Sequence, residues 1–477
     1  MNKILCVDLD GTFVKTDMLY ESFLFKFKKN PFVIFSCIFW LLSGGKVLLK
    51  SKLAENFDFD VTALPYNEDV VAFCHSKKEQ GCDIYLVSAS NGSICEKIEQ
   101  NFSFFTPICK PNDINLAGSN KADFLVKKFG EKKFDYVGNS SVDLAIWEKS
   151  EYAFCVNCSK SLVECCKKLN SNTIYLENKL NKKKKKVKSF LKMIRAHQWV
   201  KNLLVFTPLL ASHSLPLVEH VLATLGAFVA FSLLASSVYI TNDLLDLEND
   251  RKHRTKKNRP LAAGNIPIPF AFFNIPLFIG GSYIVACLIG ENFLIGLTAY
   301  FIITVLYSFI LKKVAIVDCL TLSILYTGRI IAGCLATGLP HSQWLMIFSL
   351  FFFLSLAFIK RYAELFNAKR DNKKKAGGRG YVVEDLDYVG QAGLASGFLS
   401  ILIFVLYIKD PVIQATFGNI YITLCSLPIL IYWISYLFLK SFRGEMLEDP
   451  VVFSIKDKRS LLAGICFAIV FFLGGVL

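Results

Sequence analysis

The chain has 477 residues, 53% of them hydrophobic and 43 of them Phe, with a formal net charge of +15. This composition excludes an ordinary soluble globular protein of the same length. Most Lys and Arg residues flank apolar blocks, so the charge indicates membrane topology and contact with anionic lipid and argues against nucleic-acid binding.

The character of the sequence changes near residue 180. Residues 1–180 mix charged and apolar positions as a soluble α/β domain does, and residues 181–194 form a basic linker that can equally be a solvated tether. Residues 195–477 contain apolar blocks of the length that crosses a bilayer. The fifteen Cys are scattered, which predicts a reducing compartment, and the start of the chain shows no signal-peptide pattern.

The first apolar strand runs into the string DLDGT, which places Asp8 and Asp10 two residues apart. A strand that ends in two acids and a glycine turn suits phosphate chemistry with Mg²⁺. One carboxylate can attack phosphorus while the metal offsets its charge, and the other can handle the leaving-group proton. Three further strings follow in chain order: CDIYLVSASN, GSNKADFLVKKFG and FDYVGNSSVDLAIW.

These four strings together resemble the haloacid dehalogenase-like (HAD-like) phosphohydrolase superfamily, which implies a Rossmann-type α/β fold. The resemblance implies Asp8 as nucleophile and Asp10 as acid and base. It also implies that Ser88 binds phosphate and that Lys121 neutralises it.

The resemblance further implies Mg²⁺ ligands at Asp8, Asn139 and Asp143. Asn139 stands where the superfamily usually has an acid. An amide oxygen can bind Mg²⁺ but carries no charge, so we expect weaker metal binding. An active phosphatase and a retained fold with weak or no activity both remain open.

An insertion at about residues 20–70 is expected to form a small cap on this domain. Its apolar core, Pro31–Leu42, has twelve residues and is too short to cross a bilayer. A single crossing would also place Asp8 and Ser88 on opposite sides of the membrane. We therefore expect the cap to lie on the membrane or against the second domain, with an ordinary buried helix as the alternative.

The apolar blocks further along the chain predict an all-α bundle of nine transmembrane helices. They lie at about 199–213, 217–241, 266–290, 293–311, 314–338, 343–366, 388–408, 419–440 and 460–477. Alternate loops are basic: 251–259 holds six Lys or Arg, 360–379 eight and 440–459 five. The positive-inside rule places these loops and the N-terminal domain in the cytosol, and we expect a bacterial inner membrane.

The stretch Tyr239–Gly264 carries an acidic string, NDLLDLEND, and then a basic one. Helical spacing aligns its oxygen-bearing side chains on one face; these are Asn242, Asp243, Asp246 and Asp250. Aligned carboxylates repel one another unless a cation lies among them, and Mg²⁺ that carries a diphosphate suits this place. The bases that follow can neutralise phosphate oxygens. The alternative is a solvated helix end of mixed charge.

The acidic string, the following RP and a Gly resemble the UbiA superfamily of intramembrane prenyltransferases, which also implies a nine-helix bundle. A second acidic motif is expected near Asp318, but Leu322 stands where aromatic prenyltransferases have a second acid. Arg329 lies about three turns beyond Asp318 on the same helix face. Charged groups within an apolar block are usually functional, although a structural ion pair between these two is the alternative.

Further strings resemble the decaprenyl-phosphate phosphoribosyltransferase branch: RAHQWVKNLLVFTPL, LPHSQWL, FIKRYAEL, GRGY and EDPVVFSIKDKRSLL. The branch implies Mg²⁺-dependent transfer of phosphoribose from phosphoribosyl pyrophosphate to a polyprenyl phosphate. The implied Mg²⁺ ligands are Asn242, Asp243, Asp246, Asp250 and Asp318. The implied substrate-binding residues are Lys201, Asn202, Lys256, Arg259, Arg329, Lys360 and Arg361.

Two other functions remain open from the sequence. A conventional prenyltransferase would move a polyprenyl group from its diphosphate to an aromatic or lipid acceptor, and the same metal clamp would serve it. A membrane-tethered scaffold with both sites degenerate would catalyse nothing. The absence of an acid at Leu322 favours phosphoribosyl transfer, and the HAD-like domain is then expected to remove the 5-phosphate from the lipid product.

Overall fold

The computed structural model describes residues 3–88, 92–108, 118–176, 182–211, 217–340, 342–375, 379–414, 418–446 and 449–476. The chain forms two compact units. The first contains residues 1–194 and 239–275, and the second contains residues 195–238 and 276–477. The acidic string therefore belongs to the first unit together with the N-terminal region, although it is distant from that region in sequence.

The first unit contains a parallel sheet with the strand order β2-β1-β3-β4-β5. Its strands are β1 (Ile4–Val7), β2 (Asp83–Leu86), β3 (Asp135–Gly138), β4 (Ala153–Cys155) and β5 (Thr173–Tyr175). β1 and β3 are buried along nearly their whole length, as expected for central strands covered on both faces. The predicted α/β region is confirmed as a parallel sheet with helices.

Twenty-one α-helices complete the described chain, in this order. Those that begin before residue 195 are α1 (Met18–Lys29), α2 (Val33–Ala54), α3 (Glu68–Glu79), α4 (Gly92–Asn101), α5 (Ser119–Phe129), α6 (Leu144–Lys149), α7 (Lys160–Leu169) and α8 (Lys182–Met193). Those that follow are α9 (Thr207–Ala211), α10 (Val218–Leu245), α11 (Leu247–Lys252), α12 (Ile268–Ile289), α13 (Glu291–Phe309), α14 (Val317–Thr337), α15 (Gln343–Arg370), α16 (Leu386–Lys409), α17 (Pro411–Gln414), α18 (Ile420–Leu424), α19 (Ser426–Phe442), α20 (Pro450–Lys456) and α21 (Lys458–Val476). Six 3₁₀-helices lie at Val61–Ala63, Ser141–Asp143, Ala196–Phe206, Lys256–Asn258, Leu311–Lys313 and Val383–Asp385.

Within the described ranges, nine helical segments are long and apolar enough to cross a membrane, by length and composition. Eight of them lie between residues 218 and 475 and match eight of the predicted spans, with ends that differ by several residues. They belong to α10, α12, α13, α14, α15, α16, α18 with α19, and α21. The ninth is α2 in the N-terminal region. The number of segments equals the predicted number of spans, but α2 stands in place of the predicted span at 199–213.

The predicted first span at 199–213 is not one α-helix. Residues Ala196–Phe206 form a 3₁₀-helix and α9 follows, while residues 212–216 lie outside the described part of the chain. Pro208 lies at the start of α9, where its missing N–H is tolerated. The eleven and five residues together rise about 30 Å, because a 3₁₀-helix extends about 2 Å per residue.

The expected apolar core of twelve residues lies within a longer helix, α2, which has 22 residues and is long and apolar enough to cross a membrane by length and composition. Its second half, Lys46–Ala54, carries three lysines. The helix is broken at Gly44 and Gly45, and Gly45 adopts φ 63° and ψ −159°, a conformation open essentially only to glycine. The segment therefore consists of two short arms.

Candidate functional site

The carboxyl edge of the sheet in the first unit gathers the residues that the first four strings singled out. Asp8 follows β1, Ser88 follows β2 and Asn139 follows β3, and these three strands are neighbours in the sheet. Ser88 Oγ donates to Asp10 Oδ2 at 3.3 Å, and the Met18 N–H donates to Asp10 Oδ1 at 2.8 Å. In a parallel sheet this edge, where the strand order reverses, is the usual place for a ligand.

A buried chain of polar contacts starts at Asp8. Lys121 Nζ lies 2.7 Å from Asp8 Oδ1 and donates to the Tyr136 hydroxyl at 3.1 Å. That hydroxyl donates to Asp143 Oδ1 at 3.0 Å. Burial lowers the pKa of Lys121, but Asp8 and Asp143 more than offset this and raise it, so the lysine is held as a cation. Tyr136 was not predicted; its signal in the sequence is its place two residues before the end of the buried strand β3.

Asp143 accepts three further hydrogen bonds at its other oxygen. The donors are the Asn139 N–H, the Ser140 N–H and the Ser140 hydroxyl, at 3.0, 3.0 and 3.1 Å. Asn139 also packs over Gly11, where a Cβ would lie 2.2 Å from its Nδ2. Gly11 has φ +76°, so the turn after Asp10 requires glycine for both its backbone and its space.

The acidic string forms a second cluster in the first unit. α10 ends at Leu245 and α11 begins at Leu247, and Asp243 and Asp250 are both buried. Arg259 Nη1 lies 3.0 Å from Asp243 Oδ1 and 2.6 Å from Asp250 Oδ2. The cation that the aligned carboxylates require is therefore supplied by the chain itself. Arg259 was predicted to contact phosphate, and in this structure it joins two of the predicted metal ligands.

The remaining members of this string are less buried. Asn242 and Asp246 are half-buried, and Lys256 is exposed and apart from the cluster. Among the described residues no set of three or more His, Cys, Asp or Glu side chains is arranged to hold a metal. The donor chemistry nevertheless fits Mg²⁺, since carboxylate and amide oxygens are the ligands that this ion prefers. A bound ion would have to share or displace the contacts of Arg259.

An ion pair ties this segment to α1. The Arg251 guanidinium donates to both Glu21 carboxylate oxygens at 2.6 and 3.1 Å, and both side chains are buried. The Thr16 hydroxyl also donates to Glu21, at 2.7 Å. A Cβ at Gly264 would lie 2.6 Å from that of Lys15, so the turn after the basic string approaches the chain just before α1.

In the second unit, two of the predicted basic residues share one acid. Lys201 Nζ and Lys360 Nζ lie 2.9 and 3.1 Å from Asp449 Oδ2. Asp449 also caps α20 by accepting from the Val451 N–H at 3.2 Å. Lys360 and Lys201 hold the pKa of Asp449 well below its ordinary value against the opposing effect of burial. Asp449 was missed, although the string EDPVV that contains it was part of the resemblance.

Arg329 is buried among neutral groups. Its Nε donates to Asn202 Oδ1 at 3.0 Å and its Nη1 to the Leu325 carbonyl at 2.7 Å. Its guanidinium carbon lies 5.2 Å from the ring centres of both Tyr300 and Tyr326. No carboxylate of the described residues forms an ion pair with Arg329, so the alternative of a structural ion pair between Arg329 and Asp318 is excluded.

Asp318 is paired instead with Arg361, whose Nε donates to Asp318 Oδ2; both side chains are fully buried. The Tyr381 hydroxyl donates to Asp318 Oδ1 at 2.7 Å. Arg361 also pairs with Glu364, one helical turn further along α15. Both Asp318 oxygens are thus bonded to protein donors. The predicted Mg²⁺ ligand and the predicted substrate-binding Arg361 are partners of each other in this structure.

Tyr381 and its neighbour hold the turn before α14. The Tyr381 hydroxyl accepts from the Ile316 N–H at 2.8 Å, and Ile316 has φ +68°, a strained conformation for a β-branched residue. A Cβ on Gly380 would lie 2.3 Å from the Lys313 carbonyl oxygen. The string GRGY therefore contains one residue that must be small and one that bonds the buried acid. The sequence pattern by itself indicates neither role.

Comparison with known proteins identifies relatives of this chain. The model of the UbiA prenyltransferase family matches residues 203–447. An uncharacterized protein, y4nM, of Sinorhizobium fredii is 34% identical over 473 residues, which cover 98% of this chain and 90% of that protein. That protein has a length and a sequence similar to this chain from end to end.

A decaprenyl-phosphate phosphoribosyltransferase of Mycolicibacterium smegmatis is 37% identical over 193 residues, 39% of this chain and 60% of that protein. Among solved structures, a UbiA homologue from Archaeoglobus fulgidus bound to DMAPP and Mg²⁺ is 18% identical with a TM-score of 0.45. The match covers 61% of this chain and 100% of that one.

Proposed function

The chain belongs to the UbiA prenyltransferase family, and from this premise we propose that it is an integral membrane transferase that moves phosphoribose from phosphoribosyl pyrophosphate to a polyprenyl phosphate. The similarity to a decaprenyl-phosphate phosphoribosyltransferase supports this donor and acceptor. The nine apolar helical segments found in the described residues of this chain support its assignment to the membrane.

In the proposed reaction, a phosphate oxygen of the lipid forms a bond to the anomeric carbon of the sugar. The bond from that carbon to the diphosphate oxygen breaks, and the diphosphate leaves with the electron pair. Negative charge therefore grows on the leaving group. Buried cations and polar donors that meet this charge are the largest expected contribution of the protein.

The acidic string is proposed to hold a Mg²⁺ ion, with Asn242, Asp243, Asp246 and Asp250 as oxygen donors. Mg²⁺ bound there would neutralise the diphosphate of the donor. Arg259 already lies between two of these carboxylates. We infer that it turns from the acids toward a phosphate oxygen when the ion is bound. For Asp318, which the sequence also suggested as a ligand, its bonds to Arg361 and Tyr381 favour a role in positioning Arg361.

The observation that carries the choice of phosphoribosyl transfer is the basic cluster of the second unit, formed by the buried Arg329 and the partly buried Lys201 and Lys360. Arg329 has no acidic partner among the described residues, and Lys360 shares Asp449 with Lys201. An unneutralised buried cation in a membrane helix is costly unless an anion joins it. The proposed substrates bring a diphosphate, a 5-phosphate and a lipid phosphate. A prenyl diphosphate with an aromatic acceptor brings one diphosphate only.

Conventional prenyl transfer remains the second candidate, because both reactions break a bond between carbon and diphosphate. The purified chain in nanodiscs should be given phosphoribosyl pyrophosphate with polyprenyl phosphate and, separately, prenyl diphosphate with aromatic acceptors. Mass spectrometry of the lipid product distinguishes the reactions. A prenylated acceptor without a phosphoribosyl lipid would overturn the proposal, and the absence of any product would favour the scaffold.

A matched pair of variants tests the role of the acidic string. Asp246→Asn should lower the transferase kcat about a hundredfold, the magnitude typical of a lost electrostatic contribution. Glu248→Gln, two residues further on, is the control. Glu248 is exposed, and among the described residues its one ion pair is with the exposed Lys252. Equal transferase rates for both variants would show that the acidic string has no role in the reaction.

For the N-terminal region we propose a HAD-type phosphatase that removes the 5-phosphate from the lipid product. Asp8 would attack phosphorus, the bond from phosphorus to the sugar oxygen would break, and Asp10 would protonate that oxygen. Water would then release phosphate from Asp8. Lys121, held as a cation beside Asp8, and the Ser88 hydroxyl are placed at the same sheet edge to bind phosphate oxygens.

This proposal has its own test. Asp8→Asn should leave the transferase rate unchanged and make the phosphorylated lipid accumulate, measured by mass spectrometry of the lipid. Asp58→Asn, at an exposed surface acid of the same unit, is the control. If phosphorylation of the product does not differ between the two variants, the region is a retained fold without this activity.

The basic loops and the sheet domain are proposed to lie on the cytosolic side of a bacterial inner membrane. The segment 196–211 would then make the first crossing, since its rise of about 30 Å matches the hydrocarbon core. Its contacts support this direction: Asn202 meets Arg329 and Val205 meets Gly333, so the segment runs parallel to α14. α14 itself begins after the basic residues Lys312 and Lys313.

A further inference from the structure

The first arm of α2, residues 33–43, forms an apolar surface that no other part of the described chain covers. Only Val33 is buried in this arm. Large apolar side chains are exposed along its length, with Phe35 at 68%, Phe39 at 67% and Leu42 at 82%. A helix that is apolar on all sides is stable when buried in a protein core or in lipid. The described residues supply no such core here.

The arms return to the side from which they start. Lys26, on α1, donates from Nζ to the carbonyl of Lys52 near the end of α2. The same Nζ lies 5.7 Å from the ring centre of Trp40 in the first arm. β1 and β2, which flank the insertion in sequence, are paired in one sheet. With the break at Gly44 and Gly45, the segment turns back on itself and is not one continuous helix.

The charges around α2 suit a lipid headgroup layer. Residues 22–54 contain no acid and six lysines. They are Lys26, Lys28, Lys29, Lys46, Lys50 and Lys52. Five of them lie before the first arm or late in the second, Lys46 directly follows the break, and the apolar stretch Pro31–Leu42 carries no charge. Basic residues at the base of an apolar element are the pattern by which interfacial helices bind anionic membranes.

The helix that leads into α2 is already at a membrane-spanning segment. Phe23 of α1 packs edge-to-face on Phe272, with ring centres 5.6 Å apart. Phe272 lies in the first turns of α12, one of the helices long and apolar enough to span. The helix α1, which leads into α2, therefore packs against the N-terminal end of α12.

We propose that the first arm of α2 lies at the membrane interface within one leaflet, with Lys46 after its break at headgroup level, and anchors the sheet domain to the membrane surface. Its occupant is lipid: the apolar arm contacts acyl chains, and the lysines contact anionic headgroups. The arm of eleven residues is about 16 Å long and reaches into one leaflet only. The proposal is independent of which reaction the chain catalyses.

The test uses the full chain, purified into nanodiscs that contain phosphatidylglycerol and a phosphatidylcholine with a photoreactive acyl chain. After illumination, mass spectrometry should find lipid on peptides of 32–43 at a yield within about threefold of α12 peptides. Peptides of α3, a helix of the same unit, should be labelled at least tenfold less. Labelling of 32–43 as weak as that of α3 would overturn the proposal.

A pair of variants and one further outcome complete the test. Leu42→Asp should reduce lipid labelling of the arm at least fivefold, whereas Leu42→Met should not change it, since only the charge opposes insertion. Neither variant alters a buried position, so the fold is retained. If a bifunctional cross-linker joins two copies of the arm and lipid labelling stays low, the surface is an interface between two chains and the proposal fails.

Discussion

The ion pair between Glu21 and Arg251 gives the sharpest test of how the first unit is held together. Glu21→Gln keeps the shape of the side chain and removes its charge. Arg251 then keeps its hydrogen bond from Nε to the Ala262 carbonyl at 3.3 Å and one to the amide oxygen of the new side chain, but it loses the second acceptor oxygen and the negative charge. The change leaves a guanidinium uncompensated at a position where the side chain is only 7% exposed.

The expected cost follows from that burial. Removing one member of a buried ion pair typically costs about 3–5 kcal/mol, and the isosteric change should lie near 3 kcal/mol. At 1.4 kcal/mol for each factor of ten, the local opening equilibrium rises about a hundredfold. The double variant Glu21→Gln with Arg251→Gln leaves no unpaired charge, so it should come within about tenfold of the parent protein.

Hydrogen exchange measured by mass spectrometry on the full chain in nanodiscs reports this opening. Peptides that cover α1 and residues 247–264 should exchange about a hundredfold faster in Glu21→Gln. Asp58→Asn, which breaks an ion pair whose acid side chain is 90% exposed, should change exchange less than fivefold. The reasoning is refuted if Glu21→Gln behaves like this control, or if the double variant exchanges as fast as Glu21→Gln.

Three further changes test the second unit. Tyr381→Phe should lower the thermal midpoint of the full chain in detergent, because Asp318 loses a bond worth about 1.5–3 kcal/mol; an unchanged midpoint would contradict that bond. Gly380→Ala should also destabilise, by about 1–3 kcal/mol, since the new Cβ meets the carbonyl of residue 313 at 2.3 Å. Asp449→Asn should lower kcat/KM of the transferase at least about tenfold by releasing Lys201 and Lys360. Asp449→Glu should restore part of it, and a loss of stability without a change in kcat/KM would make Asp449 purely structural.

Local patterns determined much of this protein. The alternation of apolar blocks and basic loops predicted eight of the candidate spans between residues 218 and 475, because a helix in lipid needs about twenty apolar residues. The mixed composition of residues 1–180 predicted an α/β region and the four ordered strings implied its fold, and the acids at the end of β1 lie at the carboxyl edge of the observed sheet. These features depend on residues that are close in sequence.

Partners distant in sequence could not be read from such patterns. Spacing placed Asp318 and Arg329 on the same helix face, with an ion pair between them as an alternative, but Asp318 pairs with Arg361 on α15. Lys201 and Lys360 were both predicted as substrate contacts, while the acid that holds them, Asp449, lies 248 residues from the first. Spacing along one helix defines a face, and only the packing of helices decides which residue that face meets.

The sequence by itself therefore determined the kinds of element and the chemistry available: a sheet with acids at one edge, apolar helices, and an acidic string followed by bases. The tertiary structure alone decided that Arg259 lies between Asp243 and Asp250, and that Gly44 and Gly45 divide α2 into two exposed arms. The physical reason is that hydrophobic periodicity is a property of neighbouring residues. Charge pairing and exposure depend on what the folded chain places beside them.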